Sequence, residues 1–146
     1  MSVLIHQGSW RKISAEACDG GDILIERVGG GLGILVYDPA SQDTFCGHFP
    51  APDAQHVAGL HGLLDQAESD FRQCALVRIF VSGCTEQDHE SWEDTGPLAQ
   101  RFVDAALRKR QQSNQRRDVR WPRRKALHVQ MSLYPGSGEY DCSFHW

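Results

Sequence analysis

Four short runs between residues 22 and 83 fix the kind of fold open to this chain. They are "DILIERV" (22–28), "LGILVYD" (32–38), "TFCGHF" (44–49) and "ALVRIFVSG" (75–83). Each is rich in β-branched and apolar side chains and is bounded by turn chemistry, so each reads as a strand, the last as a central one. The first three, closely spaced, read as a meander over 23–49. "GGG" precedes the second run, and "DPASQD" supplies the Asp-Pro and Ser/Asp chemistry of a turn before the third. Between the third and fourth lies "PAPDAQHVAGLHGLLDQAESDF". Asp53 suits a helix cap. Val57, Leu60, Leu64, Ala67 and Phe71 follow at helical spacing, so one face of this helix packs on the sheet. Gly59 and Gly62 each lower helix propensity by about 1 kcal/mol relative to Ala, and they allow close helix–sheet approach.

The remaining segments extend the pattern. "SVLIHQG" near the start is a short strand candidate. "TGPLAQRFVDAALRKRQQ" (95–112) reads as a second helix, with Thr95 as its cap and Pro97 in its first turn. Arg108, Lys109 and Arg110 complement the negative end of its dipole. "KALHVQMSLYPGSGEYDCSFHW" reads as a closing hairpin around "PGSG". From residue 22 the order is β-β-β, α, β, α, β-β. It predicts an α+β sandwich in which two helices pack on mixed β-sheet layers. With 146 residues, no repeat and no long linker, a single domain over 1–146 is expected.

Composition narrows the functional classes. No apolar run approaches the ~20 residues of a membrane span, and "MSVLIHQGSWRK" lacks the features of a secretion signal. Five cysteines, an odd number with scattered spacing, argue against a disulfide framework and for a reducing cytoplasm. The net charge of −4 is unevenly spread. Residues 108–125 hold nine of the fifteen Lys and Arg with one acid, Asp118, while "CTEQDHESWED" is locally acidic. Such a dipolar distribution steers partners by charge. Arg116, Arg117, Arg120, Trp121, Arg123 and Arg124 are the candidate partner-binding residues. The segment is either a solvated helix end and loop, or a contact for an acidic protein or nucleic acid with Trp121 for stacking. A pI near 5.9 speaks against a dedicated, sequence-specific nucleic-acid reader.

Several residues could carry chemistry. Thr44, Cys46 and His48 alternate along one strand and so share a face. Cys46 with His48 is either a nucleophile and base or a pair of core residues. Cys46 with His48, Cys84 with His89, and Cys142 with His145 are pairs and not a full zinc signature, so no metal is expected. No cofactor motif is present. The glycines 29–31 are either a tight turn entering a strand or an amide-lined nest for an anion or carbonyl oxygen.

The words "LVYDP" (35–39) and "GHFPAP" (47–52), with the later "LVRIFVSG" (76–83) and the closing hairpin, resemble the chemoreceptor glutamine deamidase (CheD-like) family. Its fold is shared with deamidating bacterial toxins. The likeness spans residue 23 to about 145 and implies a CheD-like sandwich, a chemotaxis-related role and a helical receptor as partner. The family places a cysteine nucleophile seven residues before the Asp of "YDP", which here is Gly31. Its supporting threonine falls at Ile25, and its general base at His48. Gly30, Gly31 and Thr44 are then expected in the cleft. "VSGC", ending at Cys84, resembles the nucleophile turn of the toxins. The reading is therefore a degenerate domain that binds or regulates a protein without catalysis. The alternatives are a glutamine deamidase using Cys46 or Cys84 with His48, and a binder of acidic partners or nucleic acid through 108–125.

Overall fold

The computed structural model describes residues 2–28, 31–51, 53–74, 76–82, 117–120 and 128–145. Their elements are β1 (Val3–Leu4), β2 (Ser9–Ile13), α1 (Ala15–Cys18), β3 (Ile23–Ile25), β4 (Leu32–Tyr37), β5 (Thr44–Phe49), α2 (Ala54–Asp70), β6 (Val77–Ser82), β7 (Arg117–Arg120), β8 (His128–Tyr134) and β9 (Glu139–His145). The expected α+β sandwich of mixed sheets is present. The second predicted helix, 95–112, lies outside the described residues.

The strands form a five-stranded sheet of order β2-β5-β4-β6-β7 and a four-stranded sheet of order β1-β3-β8-β9. Neighbours are antiparallel except for β6 with β7 and β1 with β3. The five-stranded sheet is the middle layer. On one side it carries α2, whose Leu60, Leu63, Leu64 and Ala67 pack against Leu32, Ile34, Val36, Phe45 and Phe49. On the other side Leu35, Tyr37, Cys46 and Phe80 meet Ile23, Ile25, Met131 and Leu133 of the four-stranded sheet. Strand alternation sends successive residues to opposite layers, and this explains the composition of "LGILVY" and "TFCGHF". Both strands are buried along their whole length, so neither has a solvent face that calls for polar residues.

The meander expected over 23–49 is corrected. β4 and β5 do form a hairpin, but β3 belongs to the other sheet, paired with β1 and β8. Arg27 takes a left-handed conformation at φ 57° where the chain leaves β3. The crossing between sheets falls between Ile25 and Leu32. Apolar periodicity marks β3 as a strand but carries no information about which sheet it joins. The opening strand candidate, 2–8, holds only the two-residue β1, and the edge strand β2 that follows it at Ser9–Ile13 was not anticipated. Its sequence "SWRKI" buries fully only Ile13, too weak an alternation to stand out. α1, a single capped turn, was also not anticipated.

Two polar devices close the far end. The Asp38 carboxylate accepts from the Ala40 and Ser41 backbone amides and from the Ser41 hydroxyl, at 3.0, 3.2 and 2.7 Å. It thereby holds the β4–β5 turn. The Tyr37 hydroxyl donates to the Pro135 carbonyl at 2.7 Å, tying that turn to the β8–β9 hairpin of the other sheet.

The helix sits close because glycines permit it. A Cβ on Gly47 would lie 2.7 Å from the Phe49 ring and 2.9 Å from Leu63 Cδ1. On α2, a Cβ at Gly62 would meet Trp10 at an ordinary 3.5 Å. These two glycines should respond oppositely to alanine. Gly47→Ala overpacks a filled core and is expected to cost about 1–3 kcal/mol. Gly62→Ala should be neutral or stabilise by up to about 1 kcal/mol through helix propensity. Urea denaturation of both variants measures the contrast.

Candidate functional site

His48 stands near the end of β5, opposite Ser9 of β2 on one side and Gly33 of β4 on the other. Alternation points it, with Cys46, into the layer between the sheets. It is only 2% exposed. Gly33 leaves its own space to Met131 and Val28, whose side-chain atoms would lie 2.7 and 3.2 Å from an added Cβ. The histidine therefore borders apolar groups. Burial pushes its pKa down, partly offset by a hydrogen bond to the Ile5 backbone. The imidazole is neutral at pH 7. Its carbonyl also accepts from the Gly8 amide at 2.7 Å. His48 thus fixes residues 5–9, the strap that carries the chain from the four-stranded to the five-stranded sheet, through both side chain and backbone.

Gly31 precedes β4 at the same end of the sheet. Its amide donates to Val28 at 2.9 Å, closing a turn. A Cβ added there would lie 2.6 Å from the Phe49 carbonyl oxygen and 2.9 Å from Pro50 Cα. Glycine is required at this position by the close approach of two backbones. A cysteine at 31 could enter only if the chain after β5 moved away. Gly30 lies outside the described residues.

Cys46 shares its strand face with His48, yet its thiol donates to the Arg11 carbonyl at 3.3 Å. It is completely buried. Burial, only partly countered by the charge of Arg11, pushes its pKa up to about 12. At neutral pH it is a thiol, and the thiolate is the form that attacks carbonyl carbon. Thr44 is fully buried at the other end of β5, about 13 Å along the strand from His48 at the usual rise per residue. It lies beside Tyr37 and Ile13, and its hydroxyl has no hydrogen-bond partner among the described residues. Thr44 and Gly31 therefore do not share a cleft. Ile25, at the threonine position of the family, is a core residue of β3.

Cys84 and His89 lie outside the described residues. β6, the strand leading to Cys84, ends with Ser82 opposite Gly33, and so level with His48. Among the basic candidates, Arg117 and Arg120 are on β7 at the edge of the five-stranded sheet, in register with Val77 and Phe80. Arg116, Trp121, Arg123 and Arg124 lie outside the described residues.

The sequence reading missed one pair at the His48 end. Asp53 caps α2 through the His56 amide at 2.9 Å and also binds His56 Nδ1 at 2.8 Å. The His56 amide, and then its ring, hold the Asp53 carboxyl below its ordinary pKa. His56 Nε2 would lie 3.4 Å from a Cβ on Gly8, so the ring packs against the strap turn. The available signal was the Asp-x-x-His spacing at the helix start. Among the described residues no group of three or more His, Cys, Asp or Glu could hold a metal ion. Nor is any described helix long and apolar enough to cross a membrane.

Neither a scan against protein-family models nor a search of curated proteins finds a match for this chain.

Two outcomes follow. Because the folded pKa of His48 is depressed, the unfolded chain binds its proton more readily. Stability from this group is present above about pH 6.5, the ordinary histidine value. It falls as pH drops toward the folded value, by at most about 1.4 kcal/mol per pH unit. Urea melts from pH 7.5 to 5 should show that slope, and His48→Gln should remove it. Separately, Gly31→Cys should destabilise the fold by about 1–3 kcal/mol, because it forces backbone apart. It should not gain deamidase activity, which an ammonia-release assay on glutamine peptides checks.

Proposed function

We propose that this chain is a non-enzymatic protein-binding or regulatory module on a CheD-like deamidase scaffold. The observation carrying the reading is Gly31, whose Cβ position lies 2.6 Å from the Phe49 carbonyl oxygen. The place the family gives to its nucleophile is taken up by backbone packing. The residue corresponding to the general base, His48, is spent on holding the 5–9 strap. The nearest alternative nucleophile on its strand face, Cys46, is a fully protonated thiol. Amide hydrolysis by covalent catalysis needs an activated nucleophile beside a base, and no described residue supplies the first.

The partner class follows from charge. A +8 segment on a chain of net charge −4 favours an acidic protein surface, such as an acidic helix of a receptor-like protein. Arg117 and Arg120 lie at a sheet edge, where β6 is their only paired strand among the described residues. A field spread in this way accelerates encounter and does not read base edges, so nucleic-acid binding is weak and indifferent to sequence.

The test uses glutamine-containing helical peptides, acidic and neutral. Expected are no ammonia release and saturable binding of the acidic peptide, weakened roughly tenfold or more between low and high salt as exposed charges are screened. Ammonia release that disappears with Cys46→Ala or Cys84→Ala would establish the deamidase alternative instead. Tight, salt-resistant binding of one oligonucleotide sequence would establish nucleic-acid recognition.

A further inference from the structure

Away from the His48 end, two thiols share one packed cluster. Cys18, the last residue of α1, and Cys46, in the middle of β5, both lie in the apolar layer between the sheets, 1% and 0% exposed. Arg11 bears on both. Its carbonyl accepts from Cys46 at 3.3 Å, and its charge favours the ionised form of each thiol. A charge on Cys18 in turn pushes the Cys46 thiol up.

The two cysteines are held differently. Cys46 is fixed, because β5 is paired on both sides. Cys18 rides on a four-residue helix capped by Ser14. The chain leaves that helix through two left-handed residues, Asp19 at φ 47° and Gly20 at φ 75°. Among the described residues, its chain neighbours aside, no atom lies within 4 Å of where a Gly20 Cβ would stand. One helical turn gains little from its own hydrogen bonds, and such a segment belongs to the readily opened part of a structure.

We propose that Cys18 and Cys46 form a reversible disulfide in response to peroxide, clamping α1 onto the central sheet. While α1 is closed, burial keeps both thiols protonated and unreactive. Opening of α1 hydrates Cys18, whose thiolate attacks a peroxide oxygen. The O–O bond breaks, hydroxide leaves, and Cys18 becomes a sulfenic acid. Reclosure returns that sulfur to Cys46. The Cys46 sulfur, losing its proton, displaces the second hydroxide and forms the S–S bond. Two thiols and one hydrogen peroxide give one disulfide and two waters, a two-electron oxidation of the protein. A disulfide needs Cα atoms roughly 4.4–6.8 Å apart, so the proposal requires α1 to shift about its Asp19–Gly20 exit until that separation is reached. In a reducing compartment such a bond is transient, as expected of a regulatory bond.

The experiment treats the full chain with hydrogen peroxide, alkylates the remaining thiols under denaturing conditions, and measures intact and tryptic masses. The expected product is lighter by about 2 Da before alkylation, with two fewer alkylated cysteines. It should yield a linked pair of peptides spanning 13–27 and 28–72. Dithiothreitol should restore both thiols. Cys46→Ala should stop at a sulfenic or sulfinic Cys18 with no cross-link. The wild-type mass reading stands even if that variant does not fold. Retention of both thiols, a dead-end oxidised Cys18 in the wild type, or a bond from either cysteine to Cys74, Cys84 or Cys142 would overturn the proposal.

Discussion

A sheet covered on both faces cannot leave polar side chains to water, and that constraint organises this protein. β4 and β5 are the pair on which it falls hardest, since every residue of both is buried. Apolar groups meet the requirement on the α2 side without exception: Leu32, Ile34, Val36, Phe45 and Phe49. On the inter-sheet side, Thr44, Cys46 and His48 must each find a partner or bear the cost of burial. Cys46 finds the Arg11 carbonyl. His48 finds the Ile5 backbone. Thr44 finds none among the described residues, and a buried hydroxyl in that condition costs roughly 1–3 kcal/mol.

The same constraint separates reactivity from residue type. A cysteine and a histidine two apart on a strand suggest a nucleophile and a base. In a covered layer, however, desolvation acts on both in the direction of the neutral form. It raises the thiol and lowers the imidazole. A catalytic pair needs the opposite arrangement for its thiol, with positive charge or helix dipole close at hand and water able to enter. Arg11 supplies some of that charge to Cys46, but burial outweighs it. Buried polar groups are thus turned to internal connection. His48 of β5 joins the strap to the sheet. At the opposite end Asp38 holds the β4–β5 turn, and Tyr37 of β4 ties it to the β8–β9 hairpin.

Local chemistry was the most legible part of the sequence. The helix start at Asp53, its face of Leu60, Leu64, Ala67 and Phe71, and the β4–β5 hairpin all follow from spacing and turn residues. Leu63 was missed because it lies at the margin of that stripe, and it packs into the space that Gly47 leaves. The sheet assignment of β3 was illegible for a different reason. Strand-forming sequences specify which face is apolar, whereas the partner is decided by long-range pairing, here with Met131 and Leu133 more than a hundred residues away. Of the candidate site, the shared face of Thr44, Cys46 and His48 was readable from a period of two. Their placement was not, because the cover over that face comes from β1, β3 and β8.

The glycines show how closely neighbouring parts of this fold approach one another. Gly31, Gly33 and Gly47 each stand where a side chain would collide with a neighbour, but with different neighbours: the Phe49 and Pro50 backbone, Met131, and the Phe49 ring. Phe49 is common to two of the three. Its carbonyl closes the space at Gly31, and its ring fills the space at Gly47. The "GHF" word therefore couples the start of β4 to the helix layer. A substitution that placed a side chain at 31 would have to move the Phe49 backbone, and with it the ring that lies against Gly59 and Gly47 beneath α2. Packing of the helix layer and the need for glycine at 31 are in this way a single constraint. It explains why no side chain can be introduced at that position by one substitution while the core keeps its present arrangement.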